Sequence, residues 1–358
     1  MLSFKKTPRF ATLAAAALAG ALSAAPVRAE VPEMTVKGIG TNSKTLVSFG
    51  DEVPFWNETV PEASGGNISA EFTPVDLSGV KDAQVMRMIS IGVVDFGAGD
   101  ISKMSGDDPV FEGCDLAALT LDLDKARAAC AAWAPVMDRV MQEKFNIKLL
   151  AFGGNPPQVF WCREPVTSLA DLSGKKVRVF NRSMIDFIES LGGTTVSLAF
   201  AEVVPALQRG VVDCAVTGTL SGNTAGWPEV SGHLYNLSMG WSINFQAVNL
   251  DSWDSWDDET KAFFTDQFAT FQDKMWNTLT MATEQGVRCN TGEDPCTLGQ
   301  PVQMEFADVS DADETKAQDI LTNTVLVEWG KRCGKDCAAE WNDTVGKAIG
   351  MSIPLDEI

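Results

Sequence analysis

A single histidine and a single tyrosine among 358 residues leave little for acid–base or nucleophilic catalysis near neutral pH. His233 lies in PEVSGHLYNL with no GxSxG nearby, and GxGxxG and GxxxxGK[ST] are both missing. Neither an esterase-type triad nor a phosphate-cradling loop is indicated. No CxxC pair occurs either, which together with the lone histidine argues against a structural zinc site. Cationic residues are scarce: 28 Lys and Arg face 48 Asp and Glu, a formal charge of −20. Such a surface repels nucleic acid and anionic lipid, so any site for an anion must be a local exception. Beyond the amino-terminal region no apolar run approaches the ~18 residues of a membrane span.

What is present begins with Lys5, Lys6 and Arg9, the run ATLAAAALAGALSAAP, and VRA before Glu30. That is the three-part plan of a secretory signal, with cleavage expected after Ala29 and a soluble periplasmic product. Residues 1–29 hold four cations and no acid, so their loss takes the formal charge from −20 to −24. In an exported chain the eight cysteines suggest disulfides. Cys289 and Cys296 in CNTGEDPC, and Cys333 and Cys337 in CGKDC, read as loop staples; spacing leaves the full connectivity open. No cofactor and no metal site is expected.

About 330 mature residues favour two domains over one core. MTVKGIGTN, NISAEFTPVD and VVDFGAGDI read as strands, separated by the helix-like DEVPFWNETVPEAS and the amphipathic KDAQVMRMISIG. The helical LDKARAACAAWAPVMDRVMQEKF and the strands IKLLAFGG and QVFWC follow. Residues 175–217 repeat the β-α-β-α-β plan, which predicts two α/β lobes with parallel sheets. Residues 256–286 lack Gly and Pro until Gly286 and predict a helix of about 45 Å, long enough to brace both lobes. Arg178 stands in the strand KKVRVF, where a buried guanidinium needs an anion or a cleft. Paired Asp107/Asp108 and Asp257/Asp258 read as solvated charges.

SLADLSGKKVRVFN, LGGTTVSLAFAEVVPALQRGVVDCAVTG and VNLDSWDSWDDETKAFF resemble the DctP family, the solute-binding proteins of tripartite ATP-independent periplasmic (TRAP) transporters. The resemblance implies a two-lobed α/β periplasmic binding fold with a long helix spanning both lobes. Lobe I would take residues 30–154 and 244–287, lobe II residues 155–243 and 288–358, hinged near 153–157 and 241–245. It implies capture of a small organic acid between the lobes and delivery to membrane permease subunits, with no catalysis. A sensing role in the periplasm is the alternative, and a secreted hydrolase lacks a motif.

By motif match Arg178 would salt-bridge the ligand carboxylate; the competing reading pairs it with an acid at the sheet edge. Two departures stand out. Pro156 and Pro157 in GGNPPQVFWCREPV fall where many members carry a second arginine, and Thr217 in DCAVTG replaces an asparagine. Both remove polar anchors, which favours a monocarboxylate, aromatic or not, or a sulfonate over a C4-dicarboxylate or a sialic acid. Aromatic and polar candidates are Trp161, Phe180, Phe200, Gln158, Asn181 and Asn244 besides Thr217. From the first lobe come Thr41 and Asn42, and Asp100 to Ser102 in a strand-end loop.

Overall fold

Two mixed sheets carry the protein, a computed structural model describing residues 1–2 and 31–358, of which Val31–Ile358 form one compact unit. The expected signal peptide, residues 1–29, lies outside the described residues except for its first two. The strands are β1 Met34–Gly40, β2 Ile68–Pro74, β3 Phe96–Asp100, β4 Ile147–Gly153, β5 Gln158–Cys162, β6 Lys176–Val179, β7 Thr194–Ser197, β8 Cys214–Gly218, β9 His233–Tyr235, β10 Asn244–Asn249 and β11 Glu305–Ala307. The first sheet runs β2-β1-β3-β10-β4, the second β11-β9-β5-β8-β6-β7.

β1 is parallel to β2 and β3, and β6 is parallel to β7 and β8, as the β-α-β-α-β repeats predict. The expectation of wholly parallel sheets fails at the crossovers. β10 lies antiparallel between β3 and β4, and β5 runs antiparallel to β8 and β9. The chain leaves the first sheet after β4, enters the second at β5, and returns from β9 to β10. A strand arriving from the other sheet is not bound by the right-handed crossover that makes neighbours within one sheet parallel.

These two crossing segments are laced together. Asn155 N–H donates to the Trp241 carbonyl at 2.7 Å and Gln158 N–H to that of Gly240 at 2.9 Å. The buried Asp115 carboxylate accepts the Trp241 N–H at 2.9 Å. Gly240 has φ 125°, and a Cβ there would sit 2.8 Å from Asp115 Oδ1.

The long helix spans Asp258–Thr291, capped by Asp257, whose Oδ1 accepts the Thr260 N–H at 2.7 Å. Its Phe264, Phe268, Phe271 and Met275 fill the core beneath the first sheet. It then runs through Gly286, where the sequence predicts its end. Gly286 is a packing requirement: a Cβ would fall 2.3 Å from Thr219 Oγ1, in the helix Thr219–Thr224 that follows β8. Asn290 adds a 2.9 Å bond to the Thr219 carbonyl. One helix thus packs on elements of both sheets.

Four disulfides form: Cys114–Cys130, Cys162–Cys214, Cys289–Cys296 and Cys333–Cys337. Cys162 and Cys214 stand directly opposite each other on β5 and β8. Among the described residues no group of three or more His, Cys, Asp or Glu is arranged to hold a metal ion, and no helix is long and apolar enough to cross a membrane.

Candidate functional site

The carboxyl ends of β1, β3, β6 and β8 and the starts of the antiparallel β5 and β10 meet around one cavity. Antiparallel entry is what brings Gln158 and Asn244, the first residues of β5 and β10, to the rim where parallel strands end: Gln158 pairs with Gly218 and Asn244 with Asp100. This is the strand-end crevice where open α/β sheets bind ligands. About 630 Å³ of empty space, open mouth included, lies among Thr41, Asn42, Gln158, Arg178, Phe180, Phe200, Thr217 and Asn244, all foreseen from sequence.

Arg178 sits on β6, flanked by β7 and β8, so its strand is interior and not an edge. Only 2% of the residue is exposed. Its Nε and Nη2 donate to the Leu198 carbonyl at 3.1 and 3.0 Å, and Nη1 to the Val216 carbonyl at 2.8 Å. The edge-acid reading therefore fails: among the described residues no carboxylate forms an ion pair with Arg178. Of the five guanidinium N–H groups, three are taken by carbonyls, leaving one on each terminal nitrogen. Carbonyls fix the plane of the fork without cancelling its charge. Phe180 lies under it, ring centroid 5.4 Å from Cζ. Burial lowers the Arg178 pKa to about 10, partly countered by Asp100 and Asp82, so the group stays cationic at neutral pH.

The acids around the cavity are already engaged. Asp100 accepts the Ser102 N–H at 2.9 Å, the Ser102 hydroxyl at 2.6 Å and the Ser242 hydroxyl at 2.6 Å. Asp82 is paired with Lys103 Nζ at 2.7 Å. Behind Thr41, the buried Glu52 accepts the Thr41 N–H and hydroxyl at 2.7 and 2.8 Å and the Gln246 amide at 2.7 Å. Burial pushes Glu52 up to about 7.

Two expected residues stand elsewhere. Trp161 is fully buried, edge-on to Trp227 at 5.9 Å, and its Nε1 donates to the Thr217 carbonyl at 3.3 Å. Side chains of β5 alternate, and Trp161 falls on the face covered by the Thr219–Thr224 helix, where Gly222 makes room for the indole. Asn181 caps the helix Arg182–Ser190 by accepting the Met184 N–H at 3.0 Å, and its Nδ2 reaches Ser102 Oγ at 3.3 Å. It braces the wall and does not line it. Sequence reasoning singled out neither Asn155 nor Ser242, Lys103 or Asp82, all of which line the cavity. An asparagine caught between Gly154 and two prolines, at a crossing between strands, is the one signal that pointed there.

The profile of bacterial extracellular solute-binding proteins, family 7 (DctP), matches residues 39–319. The C4-dicarboxylate-binding periplasmic protein DctP of Rhodobacter capsulatus is 26% identical over 204 residues, 56% of this chain and 60% of that one. The crystal structure of DctP7, a Bordetella pertussis extracytoplasmic solute receptor binding pyroglutamic acid, superposes with a TM-score of 0.77 at 20% identity, covering 87% of this chain and 99% of the other. A Desulfovibrio salexigens TRAP periplasmic solute-binding protein with bound orotic acid gives 0.76 at 16% identity, covering 88% and 99%. At those identities the two structures speak for the two-lobed fold alone. With the family profile spanning most of the sequence, the chain belongs to the DctP family of solute-binding receptors of TRAP transporters.

Proposed function

We propose that this receptor captures a small monocarboxylate in the cavity between its two sheets and hands it to the membrane permease subunits of a TRAP transporter. One observation carries the reading: a buried guanidinium with which no carboxylate among the described residues forms an ion pair, held by two carbonyls that leave one N–H on each terminal nitrogen. A carboxylate accepts both N–H groups side by side, which a lysine ammonium cannot reproduce. The relatives that bind pyroglutamic and orotic acid support an organic acid as ligand. Lys103, the other lining cation, is spent on Asp82, which favours one carboxylate over two.

Strand membership supports the division into residues 30–154 with 244–287 and 155–243 with 288–358, hinged at the two crossing segments. Family members are periplasmic, and cleavage after Ala29 would release this one there. We take it to bind without catalysis.

Titration calorimetry tests the reading. Losing the partner of a desolvated anion costs on the order of 2–5 kcal/mol, so Arg178→Ala should weaken a bound acid about 30-fold to several thousand-fold. Arg178→Lys should also bind clearly more weakly. Wild-type affinity in a folded Arg178→Ala protein would sink the proposal.

A further inference from the structure

Two buried charges of opposite sign line the cavity, and neither has an ion-pair partner among the described residues: Arg178 from the second sheet and Asp100 from the first. Asp100 ends β3 and is 6% exposed. The two do not pair with each other, although Asp100 is the charge that acts most strongly on Arg178. Like the guanidinium, the carboxylate is held by neutral groups. Its Oδ1 accepts the Ser102 N–H and hydroxyl at 2.9 and 2.6 Å, and its Oδ2 accepts the Ser242 hydroxyl at 2.6 Å. Such bonds fix its plane and leave its charge. The two oxygens of a carboxylate offer about four acceptor sites, so one remains on Oδ2. Capping the short helix Ile101–Met104 does not account for the charge, because asparagine or serine caps as well without burying an anion.

The other charges on the wall, Lys103 and Asp82, satisfy one another at 2.7 Å. What remains is a separated pair, a cation on one sheet and an anion on the other. A plain carboxylate would answer Arg178 but shut a second negative charge in beside Asp100, in a chain of formal charge −20. A dicarboxylate would add one more. An amine without a carboxylate would leave Arg178 unanswered. Resting on the carboxylate reading of Arg178, we infer that the ligand is a zwitterion of the amino-acid type, its carboxylate on the Arg178 guanidinium and its protonated amine on Asp100 Oδ2. Closing the sheets over such a ligand buries two complementary pairs, where a plain acid leaves one buried charge without a partner.

Matched pairs of probes test the assignment by calorimetry on the purified protein near neutral pH. L-Leucine is set against 4-methylpentanoate, β-alanine against propanoate, and 4-aminobutanoate against butanoate. Each second member keeps the carbon chain and the carboxylate without the amine. A hydrogen bond to a buried charged group is worth about ten- to a hundred-fold in affinity. At least one amino acid should therefore exceed its partner by about ten-fold or more. Asp100→Asn keeps an acceptor for Ser102 and, with its amide toward Ser242, a bond there too, so that only the charge is lost. In that variant the amino acid should weaken by about ten-fold or more while the plain acid binds unchanged or more tightly, a divergence that a merely structural loss does not produce. Arg178→Ala should weaken both members of a pair alike. Asp100→Ser, which also caps the helix, serves if the asparagine variant does not fold. Plain acids that bind as tightly as their amino partners overturn the inference and leave the carboxylate reading standing. A preference for amino acids that survives unchanged in Asp100→Asn overturns the role of Asp100. Failure of every probe to bind overturns the carboxylate reading, and this inference with it.

Discussion

Trp161 shows how a residue can matter to a site it does not line. Its indole packs on Trp227 and over Gly222, and its only polar atom holds the carbonyl of Thr217, whose side chain faces the cavity. Replacing it with phenylalanine removes that hydrogen bond and part of the ring volume from a fully buried position, a loss of about 1–3 kcal/mol. Chemical denaturation of Trp161→Phe should show that loss, while affinity for a bound acid changes less than about three-fold. Unaltered stability with a large drop in affinity would instead put the indole on the ligand. Arg178 presents the reverse case. An arginine in a strand between two helices is legible because burying it without a counter-ion is so unfavourable. Asn155 and Asn244 were harder to read, since a lone asparagine beside prolines or at a strand start serves equally well as a turn or cap residue.

At the scale of elements, a contact away from Arg178 ties the two sheets' appendages together. The Thr224 hydroxyl, on the helix after β8, donates to the Lys44 carbonyl, in the loop after β1, at 2.6 Å. Leu46 from that loop packs with Leu220 and with Ala282 of the long helix. On the proposed hinge at the two crossing segments the ligand leaves as the sheets part, and this contact should then slow release. Thr224→Val keeps the shape and removes the hydroxyl, and should speed dissociation by about 3- to 10-fold, from the ~0.5–1.5 kcal/mol of one net hydrogen bond. Stopped-flow release at an unchanged dissociation rate would mean that the contact does not bear on opening. The helices and strands that were legible obey their own periodicities: the Leu123–Phe145 helix keeps its pattern across Pro135, and β5 coincides with QVFWC, whereas the helices from Asp311 onward were not read. The end of the long helix was not, because Gly286 answers to Thr219 across the interface and not to its own chain. The direction of β5 and β10 was not either, since it depends on which sheet the chain has just left.

At the scale of the whole molecule, carboxyl groups that folding buries make stability depend on pH. Glu52, Glu112 and Asp115 are each pushed up to about 7, in every case chiefly by burial and against the hydrogen bonds they accept. In the unfolded chain such groups titrate near 4 to 4.5. Between that range and about pH 7 the folded state keeps protons that the unfolded chain has released, so raising the pH through this window favours unfolding. The formal charge of −20 acts in the same direction, because self-repulsion grows as carboxyls ionise. Glu52 separates the two effects. Glu52→Gln removes one ionisation, and if the Gln246 amide turns over, the new side chain can still accept from Thr41 and donate to Gln246. The ligand-free wild type should melt at a lower temperature at pH 8 than at pH 5. Glu52→Gln should narrow that gap by a few degrees, the effect of roughly 1–3 kcal/mol in a protein of this size. Melting curves that fall equally in both proteins would leave Glu52 without a part in the pH dependence.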